Sequence, residues 1–329
     1  MFDSIANKRA KNLGKGFNLN NWLDAFWQQD YPKEKVYLFN DLEIMKSFGM
    51  NTVRLPVLFE WLAEMEPPYS LKLQSRVYSI IDEVIKWCSE LKMNLILCNH
   101  HGPILTNDNY KLHIQRLSAL WKHLTEKYIN LPKENVFFEI KNEPNNLITN
   151  ENLFIVQSAI ISAIREIDFG ENSRTIILGA NNWNAAWSLA ESNIYPDENL
   201  IYTFHSYSPY QFTHQGLSWT NLETGLVFPI NKNEINIIRQ DFYKVKNWSI
   251  KNNVPIFLGE YGVGTGADEL SRCVWIEEFS KLIKEIDIPW AYWDIKHIKD
   301  SFGIFTEEEI NPELIIPISQ SEGENILKL

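Results

Sequence analysis

The stretch VFFEIKN at 136–142 is a short run of β-branched and aromatic residues that turns polar at its end and runs directly into Glu143 and Pro144. Apolar residues on successive positions suit a strand buried on both faces, as in a parallel sheet. Seven similar runs flank it: 16–19 (GFNL), 52–55 (TVRL), 94–100 (NLILCNH), 175–180 (TIILGA), 201–207 (IYTFHSY), 255–260 (PIFLGE) and 289–295 (PWAYWDI). Their starts lie 26 to 54 residues apart, which holds a strand, a helix and two loops, the interval of a βα unit.

Amphipathic stretches fill the gaps. Residues 40–48 set Leu42, Met45 and Phe48 on one face behind an Asn40/Asp41 cap, with Gly49 as the stop. Residues 74–91 do the same with Val77, Ile81, Val84, Cys88 and Leu91, and 152–167 with Leu153, Val156, Ile160, Ile164 and Ile167. Eight such units with no linker or low-complexity segment predict one α/β domain over 1–329, a closed (β/α)8 TIM barrel. The alternative, a doubly wound open sheet, lacks a GxGxxG after the first strand. The longest interval follows the sixth strand and carries Tyr210, Phe212, Trp219 and Phe228, which predicts a long loop over the barrel mouth.

Composition narrows the partners. With 31 Lys and Arg against 42 Asp and Glu, the 329-residue chain has a net charge of −11, which disfavours nucleic acid and anionic membrane surfaces. Its 12 Trp, 13 Tyr and 18 Phe suit a surface for something flat, neutral and hydroxylated. Cys88, Cys98 and Cys273 show no metal-type spacing and read as buried free thiols. The N-terminus has no apolar h-region and no run reaches membrane-span length. The chain as written thus reads as soluble and cytoplasmic, or as secreted if a leader was removed.

In a (β/α)8 barrel the strand C-termini share one bowl, so a linear list becomes a spatial one. It holds Asn21, Arg54, His100, His101, Asn142, Glu143, Trp183, His205, Tyr207, Glu260, Trp293 and Asp294. Glu143 and Glu260, at the ends of the fourth and seventh strands, form the carboxylate pair that glycoside hydrolysis needs, one protonated and one ionised. The glycines of GEYG (259–262) predict a sharp backbone turn around Glu260, and Arg54 is placed to hold that acid ionised. The His100–His101 pair raises a Zn²⁺ reading, but consecutive strand residues face opposite ways, so neither metal nor cofactor is expected. His113, His123, His214 and His297 read as surface or loop residues.

The motifs VRLP (53–56), NHH (99–101), FFEIKNEP (137–144), HSYSPYQFTHQG (205–216), PIFLGEYG (255–262) and AYWD (291–294) occur in that order. Together they resemble glycoside hydrolase family 5, the cellulase family of clan A, especially its single-domain endoglucanases and mannanases. The resemblance implies a retaining β-glycosidase with Glu143 as acid/base and Glu260 as nucleophile. It implies supporting roles for Arg54, His100, Asn142, His205, Tyr207 and Trp293, the last as the floor under the cleaved sugar. His101, Asn21, Asp24, Trp183, Trp219 and Asp294 match positions that shape the cleft. The family often has NxGN near its first strand, and Asn20 here replaces the glycine, which predicts a narrower mouth. The substrate expected is a β-linked polysaccharide or oligosaccharide, first a β-1,4-glucan cut by an endo-acting monomer. A β-mannanase, an exo-acting β-glucosidase and a non-catalytic carbohydrate-binding barrel are the alternatives.

Overall fold

The structure, a computed structural model, describes residues 4–25, 31–32, 36–231, 233–296 and 301–304. All eight expected strands form: β1 Lys15–Asn18, β2 Thr52–Val57, β3 Asn94–Asn99, β4 Val136–Glu139, β5 Ile176–Gly179, β6 Leu200–Ser206, β7 Ile256–Tyr261 and β8 Trp290–Tyr292. Each pairs in parallel with the next, and β8 closes on β1, so the sheet is a barrel and the open-sheet alternative falls away. The backbone at Gly16 needs its glycine, since a Cβ there would meet the carbonyls of Thr52 and Trp290 at 3.0 Å each.

Helices cover the outside. The stretch read as 40–48 is the helix Phe39–Ser47, but its cap differs from expectation: Leu38 is the N-cap, and Asp41 reaches back to accept from the Leu38 backbone N–H at 2.9 Å. The helices Arg76–Glu90 and Asn150–Arg165 bury the predicted stripes except for their last members, Leu91 and Ile167, which fall past the helix ends and are half-buried. A helix the apolar pattern did not suggest, Ile5–Leu13, closes the barrel floor. Its Ala10 and Leu13 join Ile96, Phe137, Ile177, Ile201, Phe257 and Ala291 in one buried layer from β3 to β8. The lower interior is therefore apolar. Two residues further along several strands the inward positions become Cys98, Glu139 and Thr203, so polarity rises toward the strand C-termini.

One of the histidines departs from expectation: His113 is buried within the helix Tyr110–Tyr128, 4.0 Å from the Glu60 carboxylate. His214 lies in the loop after β6 as expected, with its side chain buried there. His297 lies outside the described residues. All three cysteines are free, with Cys88 and Cys98 buried and Cys273 half-buried. No helix among the described residues is long and apolar enough to cross a membrane.

Candidate active site

Strict alternation along β7 from Phe257 would turn Gly259 and Tyr261 inward and Glu260 outward. The register shifts between Leu258 and Tyr261 against β8, and between Phe204 and His205 of β6 against β7. Such irregularities re-aim a side chain. Glu260 consequently points inside, while Tyr261 packs outward on Trp275 and Phe279. The flanking glycines serve closeness and not a sharp turn: a Cβ on Gly259 would lie 2.6 Å from Thr203 Oγ1, and one on Gly262 would lie 1.9 Å from the Trp293 carbonyl. Glu143 is placed differently, by a left-handed backbone (φ 41°) just beyond β4.

The two acids meet with His205 between them. One carboxylate oxygen each from Glu143 and Glu260 and a ring nitrogen of His205 all lie within 4.8 Å of one another. His205 Nδ1 stands 2.7 Å from Glu143 Oε1 and 3.6 Å from Glu260 Oε2. Glu260 also receives Arg54 Nη1 at 2.6 Å and the Tyr207 hydroxyl at 2.8 Å. Asn142 joins through its Oδ1, which accepts from Arg54 Nη2 at 2.7 Å. His100 stacks on Trp293 with ring centres 5.5 Å apart and planes 8° from parallel.

Burial raises the Glu143 carboxyl to about 7, a tendency opposed by Arg54 and reinforced by Glu139. Burial raises Glu260 as well, but His205 and Arg54 pull against it. Arg54 and Tyr207 donate to Glu260 and to neither oxygen of Glu143, so Glu260 is the acid held ionised. His205, lowered to about 4 chiefly by burial, is neutral at pH 7. One protonated and one ionised carboxyl thus face each other across less than the gap a water needs between acid and sugar.

Other predicted residues fall at greater remove. His101 is exposed, its ring edge-on to His100 at 4.2 Å. Trp183 is half exposed on a turn in which Asn182, Trp183 and Asn184 all have left-handed backbones, and its N–H donates to the Pro144 carbonyl beside Glu143. Trp219 is exposed, edge-on to His214, which in turn meets the Tyr207 ring at 5.2 Å. Asn21 has a left-handed backbone and is half-buried. Asp24 and Asp294 are buried, so neither carboxylate lines an open cleft; burial raises Asp24 to about 7, and its Oδ1 accepts from the Trp22 N–H. Asn20 is likewise buried, accepting from the Tyr37 hydroxyl, and does not narrow the mouth.

Among the described residues, the group that could hold a metal ion is Glu143, His205 and Glu260, not the His100–His101 pair. Their short contact through His205 already satisfies two of the donors.

The Cellulase (glycosyl hydrolase family 5) profile matches residues 8–298. The chain belongs to glycosyl hydrolase family 5. Among relatives in family 5, Endoglucanase H of Acetivibrio thermocellus is 30% identical over 287 residues, covering 87% of this chain and 30% of that protein. Endoglucanase C of the same organism is 27% identical, covering 91% of this chain and 96% of that one. The chain therefore spans under a third of the first relative and nearly all of the second. Thermotoga maritima Cel5A, solved with mannotriose and with cellobiose, is 28% identical with 98% of both chains covered and TM-scores of 0.83 and 0.82.

Sequence reasoning passed over three members of the site. Glu139 receives Arg54 Nε and Nη2 at 2.7 Å each, Asn18 accepts from Arg54 Nη1 at 2.8 Å, and Asn184 Nδ2 lies 3.4 Å from His205 Nε2. Glu139 and Asn18 carried the needed signal, a polar side chain inside an otherwise apolar strand.

Proposed function

We propose that this family 5 barrel is a retaining endo-β-1,4-glucanase. The observation that carries the reading is the approach of Glu143 and Glu260, with a carboxylate oxygen of each within 4.8 Å of the other at the mouth of a closed barrel. That separation suits attack by a carboxylate; an inverting pair stands roughly 6.5–9.5 Å apart to admit water. In the first step Glu260 attacks the anomeric carbon while Glu143 protonates the departing sugar oxygen. In the second, Glu143 takes a proton from a water whose oxygen bonds to the anomeric carbon as the ester bond to Glu260 breaks, which frees the sugar with overall retention.

The substrate reading rests on the relatives. Two are named endoglucanases, which favours a β-1,4-glucan. β-Mannan is the second choice, supported by the Cel5A structure with mannotriose. Trp293, with its ring plane set by His100, serves as the floor under the cleaved sugar, and the exposed rings of Trp183 and Trp219 serve as stacking platforms. Product profiles on carboxymethylcellulose, mixed-linkage glucan, glucomannan, xyloglucan and cello-oligosaccharides test this. Rapid viscosity loss on carboxymethylcellulose with short cello-oligosaccharide products is expected. Release of glucose alone from chain ends, or binding without cleavage, would overturn it.

A further inference from the structure

Arg54 has no exposed side-chain surface, and every N–H of its guanidinium is used. Nε and Nη2 fork onto the two oxygens of Glu139 at 2.7 Å each. Nη1 meets Glu260 at 2.6 Å and Asn18 at 2.8 Å, and the second hydrogen of Nη2 goes to Asn142 at 2.7 Å. One positive charge therefore serves two buried carboxylates, on β4 and β7. The planar, two-bonded grip belongs to Glu139 and the single bond to Glu260.

We propose that Glu139 is a positioning residue for glycoside cleavage, the standing counter-ion that fixes the plane and charge of Arg54 so that Glu260 can give up its own charge to the sugar. This rests on the reading of Glu260 as nucleophile. In the first step a lone pair of Glu260 bonds to the anomeric carbon, the bond from that carbon to the leaving oxygen breaks, and the proton of Glu143 goes to that oxygen. The negative charge thus leaves Glu260, now a neutral ester, and appears on Glu143. With Glu260 as its only partner, Arg54 would be stranded as a buried cation without a counter-ion, which is strongly disfavoured. Glu139 keeps it paired on both sides of the step. By sharing the guanidinium, Glu139 also lets Arg54 hold Glu260 ionised without holding it too tightly to react.

The surroundings leave little else to play this part. Glu260 faces Arg54 from β2, His205 from β6, Tyr207 just after it, Glu143 from beyond β4 and Asp24 from beyond β1. Glu139 faces Arg54, Cys98 of β3 and, at longer range, His205 and Glu143. Arg54 is the cation among them, because buried His205 is neutral at pH 7.

The test is Glu139→Gln, which keeps the shape and removes the charge, assayed on p-nitrophenyl β-cellobioside across pH. With Arg54 undivided, Glu260 should stay ionised to lower pH. The acid limb of kcat/KM is expected to move down by roughly one pH unit, while kcat/KM at the optimum falls at least about tenfold. Glu139→Asp, which restores the charge, should return the limb toward wild type. Lower activity with an unmoved acid limb in a folded Glu139→Gln protein, checked by near-UV circular dichroism, would overturn the inference. If Glu139→Gln does not fold, Glu139→Asp is read against wild type: its shorter reach should shift the limb the same way by less, and no shift overturns the inference. Retained turnover in Glu260→Ala would instead overturn the nucleophile reading on which it rests.

Discussion

Replacing Glu143 with Gln should stabilise the protein, and by an amount that depends on pH. The Glu143 carboxyl moves from an ordinary 4.5 to about 7 on folding, chiefly through burial. Between those values the folded chain keeps a proton that the unfolded chain has released. Stability is therefore lost as pH rises through that window, and the full cost is felt above pH 7. At about 1.4 kcal/mol per pH unit the cost is roughly 1 kcal/mol at pH 5 and up to about 3 kcal/mol at pH 8. The Glu143 side chain retains 22% exposure, so the upper figure is a ceiling. Glu143→Gln removes the titrating group, and the stability difference from wild type should widen by about 2 kcal/mol between the two pH values. With an unfolding entropy of roughly 2.1 cal/mol/K per residue, that is about 3 °C in Tm. Thermal unfolding of both proteins at pH 5 and pH 8 measures it directly. A difference that is the same at both pH values would refute the claim that the folded barrel holds Glu143 protonated.

Tyr207→Phe removes the hydroxyl that donates to Glu260. A hydrogen bond to a charged group contributes about 1.5–3 kcal/mol, so kcat/KM should fall about 10- to 100-fold, and the acid limb of its pH profile should move up; an unmoved limb would show that the bond does not hold Glu260 ionised. Lys141→Met should cost about 3–5 kcal/mol in urea unfolding, because it strands the buried Glu60 carboxylate that Lys141 Nζ meets at 2.6 Å. Adding Glu60→Gln to that variant should recover much of the loss, and a double mutant no better than the single would count against the pair.

The barrel was legible because its strands are apolar on both faces and recur at βα intervals, a pattern that needs no knowledge of register. Glu143 and Glu260 were legible because an acid at the end of such a strand has few structural excuses. How Glu260 comes to face inward was not, since the irregularities in β6 and β7 depend on neighbouring strands. Glu139 sat inside a quoted motif, yet its role depends on Arg54, 85 positions away, reaching it across β3. Asp24 and Asp294 were placed at the correct end of the barrel, but their depth below the surface follows from loop packing that no local pattern records. His113 looked like a surface residue because the stripe of its helix does not reveal the Glu60 carboxylate beneath it.

The central claim is that Glu260 forms the bond to the sugar and Glu143 moves the proton. It is tested most directly by the anomeric configuration of the azide adducts formed by Glu260→Ala and Glu143→Ala from an activated aryl β-cellobioside. With Glu260 shortened, azide enters the space of the missing nucleophile and should give the α-glycosyl azide. With Glu143 shortened, azide attacks the intact glycosyl-enzyme and should give the β-glycosyl azide. The same anomer from both variants, or near wild-type turnover of either without azide, would contradict the assignment.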